Sequence, residues 1–212
     1  VHMCMEAQWD HGFASIVNGA DLATADGVPM LKSLNKFQGG AQERVAGNDL
    51  MPAVMAAAES EGLSGFLHGG KQEVLDTIVA KAGKEYPALK IAGTWSPPFR
   101  PTSESERLEE VERIAQSGAH IVLVSLGCPR QEKWMAAMQG KVPAVMLGLG
   151  GAFLLYAGVD SRAPLWMRKA SLEWLYRLSL EPGRLWKRYL VTNSAFILLY
   201  TKELVRRWRH GD

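Results

Sequence analysis

From residue 64 onward the chain alternates short apolar runs with longer amphipathic ones. Residues 65–68 (GFLH) form an apolar run that stops at Gly69-Gly70, and 71–84 follows with helical spacing. Residues 89–93 predict a second short strand, which runs into the turn-rich segment from Ser96 to Pro101. The spacing over 103–117 predicts a helix opened by a capping box, Ser103 with Glu106 three residues on. Residues 120–126 read as a β-branched buried strand closed by Gly127-Cys128-Pro129. A helix over 130–139 and a strand over 144–149, closed by Gly150-Gly151, complete the series. Strands separated by helices of this length predict βαβ units and a parallel sheet covered by helices on both faces. Ligands of such sheets bind at the carboxyl ends of the strands. The informative loops are therefore Gly69-Gly70, 96–101, 127–131 and 148–151.

The pattern changes near 161–164. Beyond it the chain reads as helical, with a break expected at Pro182-Gly183 and a last helix over 184–209. The division expected is a core of 1–164 and a helical appendage of 165–212. The last helix interleaves large apolar residues such as Trp186, Ile197 and Trp208 with Lys187, Arg188, Lys202 and Arg206. Such a helix packs on a body or lies in a lipid interface. Charge sharpens the division. Residues 1–161 hold 13 Lys/Arg and 18 Asp/Glu, a net of −5, whereas 162–212 hold 11 and 4, a net of +7. Four of the seven Trp also lie in that last quarter. An acidic body with a basic, Trp-rich tail points to an anionic partner: phosphate, nucleic acid or a lipid surface. The remaining composition, 47% hydrophobic and 22% charged, is that of an ordinary globular protein and excludes a disordered chain. Two cysteines, Cys4 and Cys128, exclude a disulfide scaffold and favour a reducing compartment. No signal peptide is visible, and the longest strongly apolar stretch, 195–200, is far short of a membrane span.

Candidate chemistry lies in four places. Asp26-Gly27 reads either as a plain turn or as a carboxylate presented on a loop, with Asp21 as a competing candidate. Gly69-Gly70 reads either as a tight turn or as a close backbone approach to a diphosphate. No GxGxxG or GxxxxGK[ST] occurs, which disfavours a dinucleotide-binding oxidoreductase and a P-loop ATPase. In Gly127–Glu132, Gln131 suits a sugar or base and Glu132 a cation or hydroxyl, against a plain reading as helix capping and surface charge. None of the five histidines is an obvious base partner for Cys128, and no HExxH, CxxC or Asp-x-Asp suggests a metal site. The cations Arg162, Arg168, Arg177, Arg184, Lys187 and Arg188 are candidates for phosphate, since Arg binds it bidentately and is always charged. Arg177, Arg184 and Arg188 recur at intervals of seven and four, which predicts one shared helix face if the break at Pro182 is mild.

Taken in order, these segments resemble the WecG/TagA/CpsF family of bacterial glycosyltransferases. The resemblance runs nearly end to end. It is carried by 20–27 (ADLATADG), 43–50 (ERVAGNDL), 66–70 (FLHGG), 86–89 (YPAL) and 96–100 (SPPFR). It continues through 126–134 (LGCPRQEKW), 148–158 (GLGGAFLLYAG), 162–166 (RAPLW) and 173–189 (EWLYRLSLEPGRLWKRY). The resemblance implies a Rossmann-like α/β core and an inverting transfer from a UDP-sugar, N-acetylmannosamine or its uronic acid. The implied acceptor is a polyprenyl-diphosphate-linked N-acetylglucosamine, at the cytoplasmic face of the bacterial inner membrane. No cofactor and no obligatory metal are implied. Residue by residue, it implies Asp26 as the base, Arg44 and Gln131 as binding residues, and Arg177 and Arg184, with Lys187 or Arg188, closing over the donor diphosphate. Glu132, Gly69, Gly70 and Arg162 complete the expected substrate-binding set. Nucleic acid is not an expected partner; a membrane surface is, and self-association is possible. The chain departs from the family in three respects. Its Thr-x-Asn would fall before Val1, its usual Phe-Asp is here Phe153-Leu154, and the variants HMCMEA and SPPFR suggest a sub-branch with a different donor sugar. The alternative is a non-catalytic nucleotide- or RNA-binding module, which gives no reason for Gln131-Glu132 or Arg162-Ala163-Pro164.

Overall fold

The computed structural model describes residues 1–210. The chain divides into two units, one of residues 1–45 with those from 162 onward, the other of residues 46–161. The first 45 residues thus group with the C-terminal helices. The first unit opens with α1 (His2–Trp9), α2 (His11–Asn18) and α3 (Val28–Gln38). Asp10 caps α2, its side chain accepting from the Phe13 N–H at 3.0 Å, and Phe13 and Met5 are buried. No element was expected in this segment, although α2 and α3 are amphipathic.

The second unit begins with α4 (Gly47–Ser60), also unforeseen, because Gly47 and the interior Pro52 both argue against a helix there. It then alternates β1 (Ser64–His68), α5 (Gln72–Glu85), β2 (Lys90–Trp95), α6 (Glu104–Gln116), β3 (Ile121–Val124), α7 (Arg130–Met138), β4 (Val145–Gly148) and α8 (Ala152–Tyr156). The four strands are parallel, as the alternation of strands and helices predicts, and lie in the order β2-β1-β3-β4. Bounds differ by a few residues: the second strand runs on to Trp95, and the third ends at Val124 rather than 126. The capping box forms as expected. Ser103 Oγ accepts from the Glu106 N–H at 3.2 Å, and Glu106 accepts from the Ser103 N–H at 2.7 Å.

Alternation along the strands sends side chains to two cores. Leu67 and Leu123 face Met51 and Met55 of α4, Leu75 and Ile78 of α5 and Phe153 of α8. Phe66, Val122 and Val124 face the other way, with Ile114 of α6 and Met138 of α7. Each such side chain contributes about 1.5–3 kcal/mol by leaving water. Phe66 fits because its partner across the ladder is Gly93: a Cβ there would lie 2.7 Å from the Phe66 ring.

After α8 the chain returns to the first unit through α9 (Leu165–Lys169), α10 (Glu173–Leu180) and α11 (Pro182–His210). The expected break is displaced. Glu181 leaves the helix (φ −131°, ψ 60°), and Pro182 opens α11 rather than interrupting it. Proline suits a first helical position, where its missing N–H costs nothing. The turn between α9 and α10 is tightly defined. Leu172 N–H donates to Met167 O at 2.8 Å and Ser171 N–H to Arg168 O at 3.1 Å, the paired bonds of a Schellman motif. Ser171 holds the left-handed position of that motif (φ 62°), where glycine is usual. The long α11 buries Leu185, Thr192 and Phe196, and its Tyr200 ring meets Phe37 of α3 with centroids 5.2 Å apart.

Gly93→Ala is expected to lower stability by about 1–3 kcal/mol, because the Phe66 ring it would strike is buried and has no room to yield. A fall in the urea midpoint at unchanged slope checks this.

Candidate active site

Asp26 stands on the loop ahead of α3, immediately before the helix N-cap Gly27. That loop is tied down at both its backbone and its side chain. Val45 N–H donates to Ala25 O at 3.2 Å. Arg44 Nε donates to the main-chain O of Asp26 at 2.6 Å, and Arg44 Nη2 to Asp26 Oδ1 at 3.3 Å. The Asp26 side chain is nevertheless 67% exposed, so its carboxylate is oriented without being closed off. Asp21, the competing carboxylate, is exposed in the preceding run and is not among the groups gathered at Arg44. One residue joins this cluster that the sequence pattern did not single out. Glu173 Oε2 accepts from the same Arg44 Nη2 at 2.8 Å. No periodicity could pair positions 129 residues apart.

In the second unit, the carboxyl ends of the four strands are knitted together. Gly69 N–H donates to Trp95 O, Ser125 N–H to His68 O, and Leu149 N–H to Val124 O, each at 2.8 Å. Ser125 Oγ donates to Gly150 O at 2.8 Å and Ser96 Oγ to Gly70 O at 2.7 Å. Gly69 (φ +100°) is required by this packing, since a Cβ would run into the Ser125 carbonyl. Gly70 (φ +81°) faces open space and leaves its surroundings accessible. Gln131 and Glu132, at the start of α7, complete the edge. Gln131 is buried, and its Nε2 donates to Glu132 Oε1 at 2.9 Å. The remaining oxygens, Gln131 Oε1 and Glu132 Oε2, are buried without a hydrogen-bond partner. Buried acceptors are nearly always paired, and leaving one unpaired costs about 1–3 kcal/mol. Gly148 and Gly150 lie against Gln131, where a Cβ would fall 3.0 Å from Nε2 and 3.4 Å from Oε1.

Beneath this edge lies a group that sequence reasoning missed. His68, the last residue of β1, is fully buried. Its ring stacks on Trp134 of α7 at 4.2 Å, and Trp134 Nε1 donates to Glu110 Oε2 of α6 at 3.3 Å. His68 Nε2 lies 3.1 Å from Glu110 Oε1 but off the line a hydrogen bond needs. Burial pulls the imidazole from its usual 6.5 down to about 3, so it is neutral near pH 7 and the contact is not an ion pair. Burial raises the Glu110 carboxyl above its usual range, against the lowering effect of the Trp134 hydrogen bond. His120, by contrast, is structural: its Nδ1 accepts from the Ser64 N–H at 3.1 Å.

A break in helical register separates Arg177 from the other tail cations whose spacing predicted one face. Arg177 is exposed on α10, and Glu181 breaks the helical register before α11 begins. Lys187 is exposed, lying 5.5 Å over Trp186, and half-buried Arg188 lies 5.5 Å over Tyr189. Arg162 is half-buried ahead of α9. The Arg184 side chain lies outside the described residues. Among the described residues, no group of His, Cys, Asp and Glu is arranged to hold a metal ion.

Residues 1–210 match the Glycosyl transferase WecG/TagA/CpsF family. The chain belongs to that family. A curated relative in Bacillus subtilis (strain 168) is an N-acetylglucosaminyldiphosphoundecaprenol N-acetyl-beta-D-mannosaminyltransferase. It is 34% identical over 182 residues, which is 85% of this chain and 69% of the relative. The protein is thus a glycosyltransferase, and the reading as a non-catalytic RNA-binding module finds no support. Of the segments that carry the resemblance described above, ADG and ERV hold Asp26 and Arg44, and FLHGG and PRQE lie at the sheet edge.

The buried imidazole of this glycosyltransferase gives a stability prediction. A group depressed in the fold contributes stability above its unfolded value and loses it as pH falls through the folded one. Wild type should therefore lose stability from His68 between pH 6.5 and about 3, at up to about 1.4 kcal/mol per pH unit. Glu110 acts in the opposite sense, its raised carboxyl favouring the fold at low pH. His68→Gln, which cannot titrate, should show a flatter stability curve between pH 7 and 4 by chemical denaturation.

Proposed function

We propose that this glycosyltransferase moves N-acetylmannosamine or a related sugar from a UDP donor to a polyprenyl-diphosphate-linked N-acetylglucosamine, with inversion. The observation that carries the reading is an exposed carboxylate, Asp26, oriented through both its backbone and its side chain by Arg44. The relative's name supports the acceptor and the transferred sugar. The product belongs to a bacterial surface polysaccharide.

The reaction is a single in-line displacement. Asp26 takes the proton of the acceptor hydroxyl as its oxygen bonds to the anomeric carbon, and the bond to the UDP oxygen breaks on the opposite face. General-base catalysis of this kind contributes about 10²–10⁴-fold. Charge grows on the departing diphosphate, and Arg162, Arg177, Arg184, Lys187 and Arg188 are the cations that meet it; preplaced positive groups act on charge as it develops. Gln131 and Glu132 have unpaired acceptor oxygens that suit hydroxyl or N–H donors of the nucleotide sugar. Gly69 and Gly70 allow backbone to approach it. No obligatory metal or cofactor enters this scheme.

No described helix is long and apolar enough to cross a membrane. In the proposed reaction the lipid-linked acceptor is met at the cytoplasmic surface of the membrane. Trp166, Trp174, Trp186, Ile197, Leu198 and Trp208 are exposed on α9–α11 among basic residues, the composition of a helix that lies in a lipid interface. These helices form the membrane-associating appendage.

Asp26→Asn should lower kcat by about 10²–10⁴-fold with the fold intact. The assay is mass detection of product from a UDP-sugar panel and a short lipid-diphosphate-GlcNAc acceptor. Near-full activity in that variant would remove Asp26 as the base. Trp186→Ala with Trp208→Ala should weaken co-sedimentation with anionic vesicles.

A further inference from the structure

The structure assigns Glu173 as a positioning residue for the transfer reaction, acting on Asp26 through the shared guanidinium of Arg44. This rests on the reading of Asp26 as the base. One nitrogen, Arg44 Nη2, serves two carboxylates. Its contact with Glu173 Oε2, at 2.8 Å, is shorter than that with Asp26 Oδ1, at 3.3 Å. Burial follows the same order. The side chain of Glu173 is 18% exposed, that of Arg44 25% and that of Asp26 67%. The inner carboxylate therefore anchors the guanidinium, and the outer one remains open to solvent.

The arrangement answers a conflict in using an arginine to orient a base. An arginine paired with one carboxylate alone holds it in place but stabilises its charged form and so weakens it as a proton acceptor. Two carboxylates around a single guanidinium leave one negative charge uncompensated. Arg44 can then fix the loop through its Nε bond to the Asp26 carbonyl while Glu173 draws Nη2 away from the Asp26 carboxylate. Glu173 is itself well placed. It is the first residue of α10, where the helix dipole favours a carboxylate. The Schellman turn at Ser171 fixes the direction in which α10 begins.

Glu173→Gln keeps the shape and removes the charge; Glu173→Asp keeps the charge on a shorter side chain. In the full chain, Glu173→Gln should lower kcat about 10-fold and leave the donor KM within about 2-fold, with Glu173→Asp closer to wild type. In an Arg44→Ala background the same Glu173→Gln change should alter kcat by less than about 2-fold, because its route to Asp26 is gone. The inference is overturned if Glu173→Gln retains wild-type kcat, if Gln serves better than Asp, or if the loss persists undiminished without Arg44. Should Glu173→Gln fail to fold, the same cycle is run with Glu173→Asp, where a loss that survives Arg44→Ala overturns the inference. Asp26→Asn in the same assay separates the two claims. An active Asp26→Asn enzyme sinks the base assignment, whereas an inactive one beside a fully active Glu173→Gln sinks only the role of Glu173.

Discussion

A parallel sheet of four strands must be covered on both faces, and the second unit is organised by that requirement. Leu67 and Leu123 point to one core, Phe66, Val122 and Val124 to the other, and the helices between the strands supply both layers. The crossover connections carry every strand in the same direction, so all four carboxyl ends arrive at one edge. Backbone groups that would otherwise end unpaired there bond across neighbouring loops. The edge that holds Gly69, Gly70, Gln131 and Glu132 is thus a by-product of covering the sheet. The buried oxygens of Gln131 and Glu132, like the ring nitrogens of His68, have no hydrogen-bond partner there.

The first unit is organised by charge. Arg44 gathers an exposed and a half-buried carboxylate from segments far apart in the chain. The basic excess after residue 162, which first suggested only an anionic partner, is distributed over three helices and not along one stripe. Glu181 ends α10 and Pro182 begins α11 afresh, so the interval of seven from Arg177 to Arg184 crosses a break in helical register, whereas the interval of four to Arg188 stays within α11. In the proposed reaction these cations meet two anionic groups, the leaving diphosphate and the lipid surface.

Much of the α/β unit was legible because each of its elements declares itself locally. The capping box at Ser103, the β-branched run before Ser125 and the glycines after the strands each depend on residues a few positions apart. The first four helices were not legible. The segment 2–9 lacks a clear apolar stripe, and Gly47 with Pro52 disguises α4. Asp26-Gly27 was visible as a turn dipeptide, and the resemblance to a glycosyltransferase family made Asp26 the expected base.

By itself the sequence determined the alternation of strands and helices from β1 to β4, the division of charge and the family, since these follow from short-range patterns and from ordered motifs. Only the tertiary structure decided the partners. Glu173 finds Arg44 across 129 positions, and His68 meets Trp134 and Glu110 from three different elements. Such contacts depend on how elements pack, and packing geometry leaves no period in the chain.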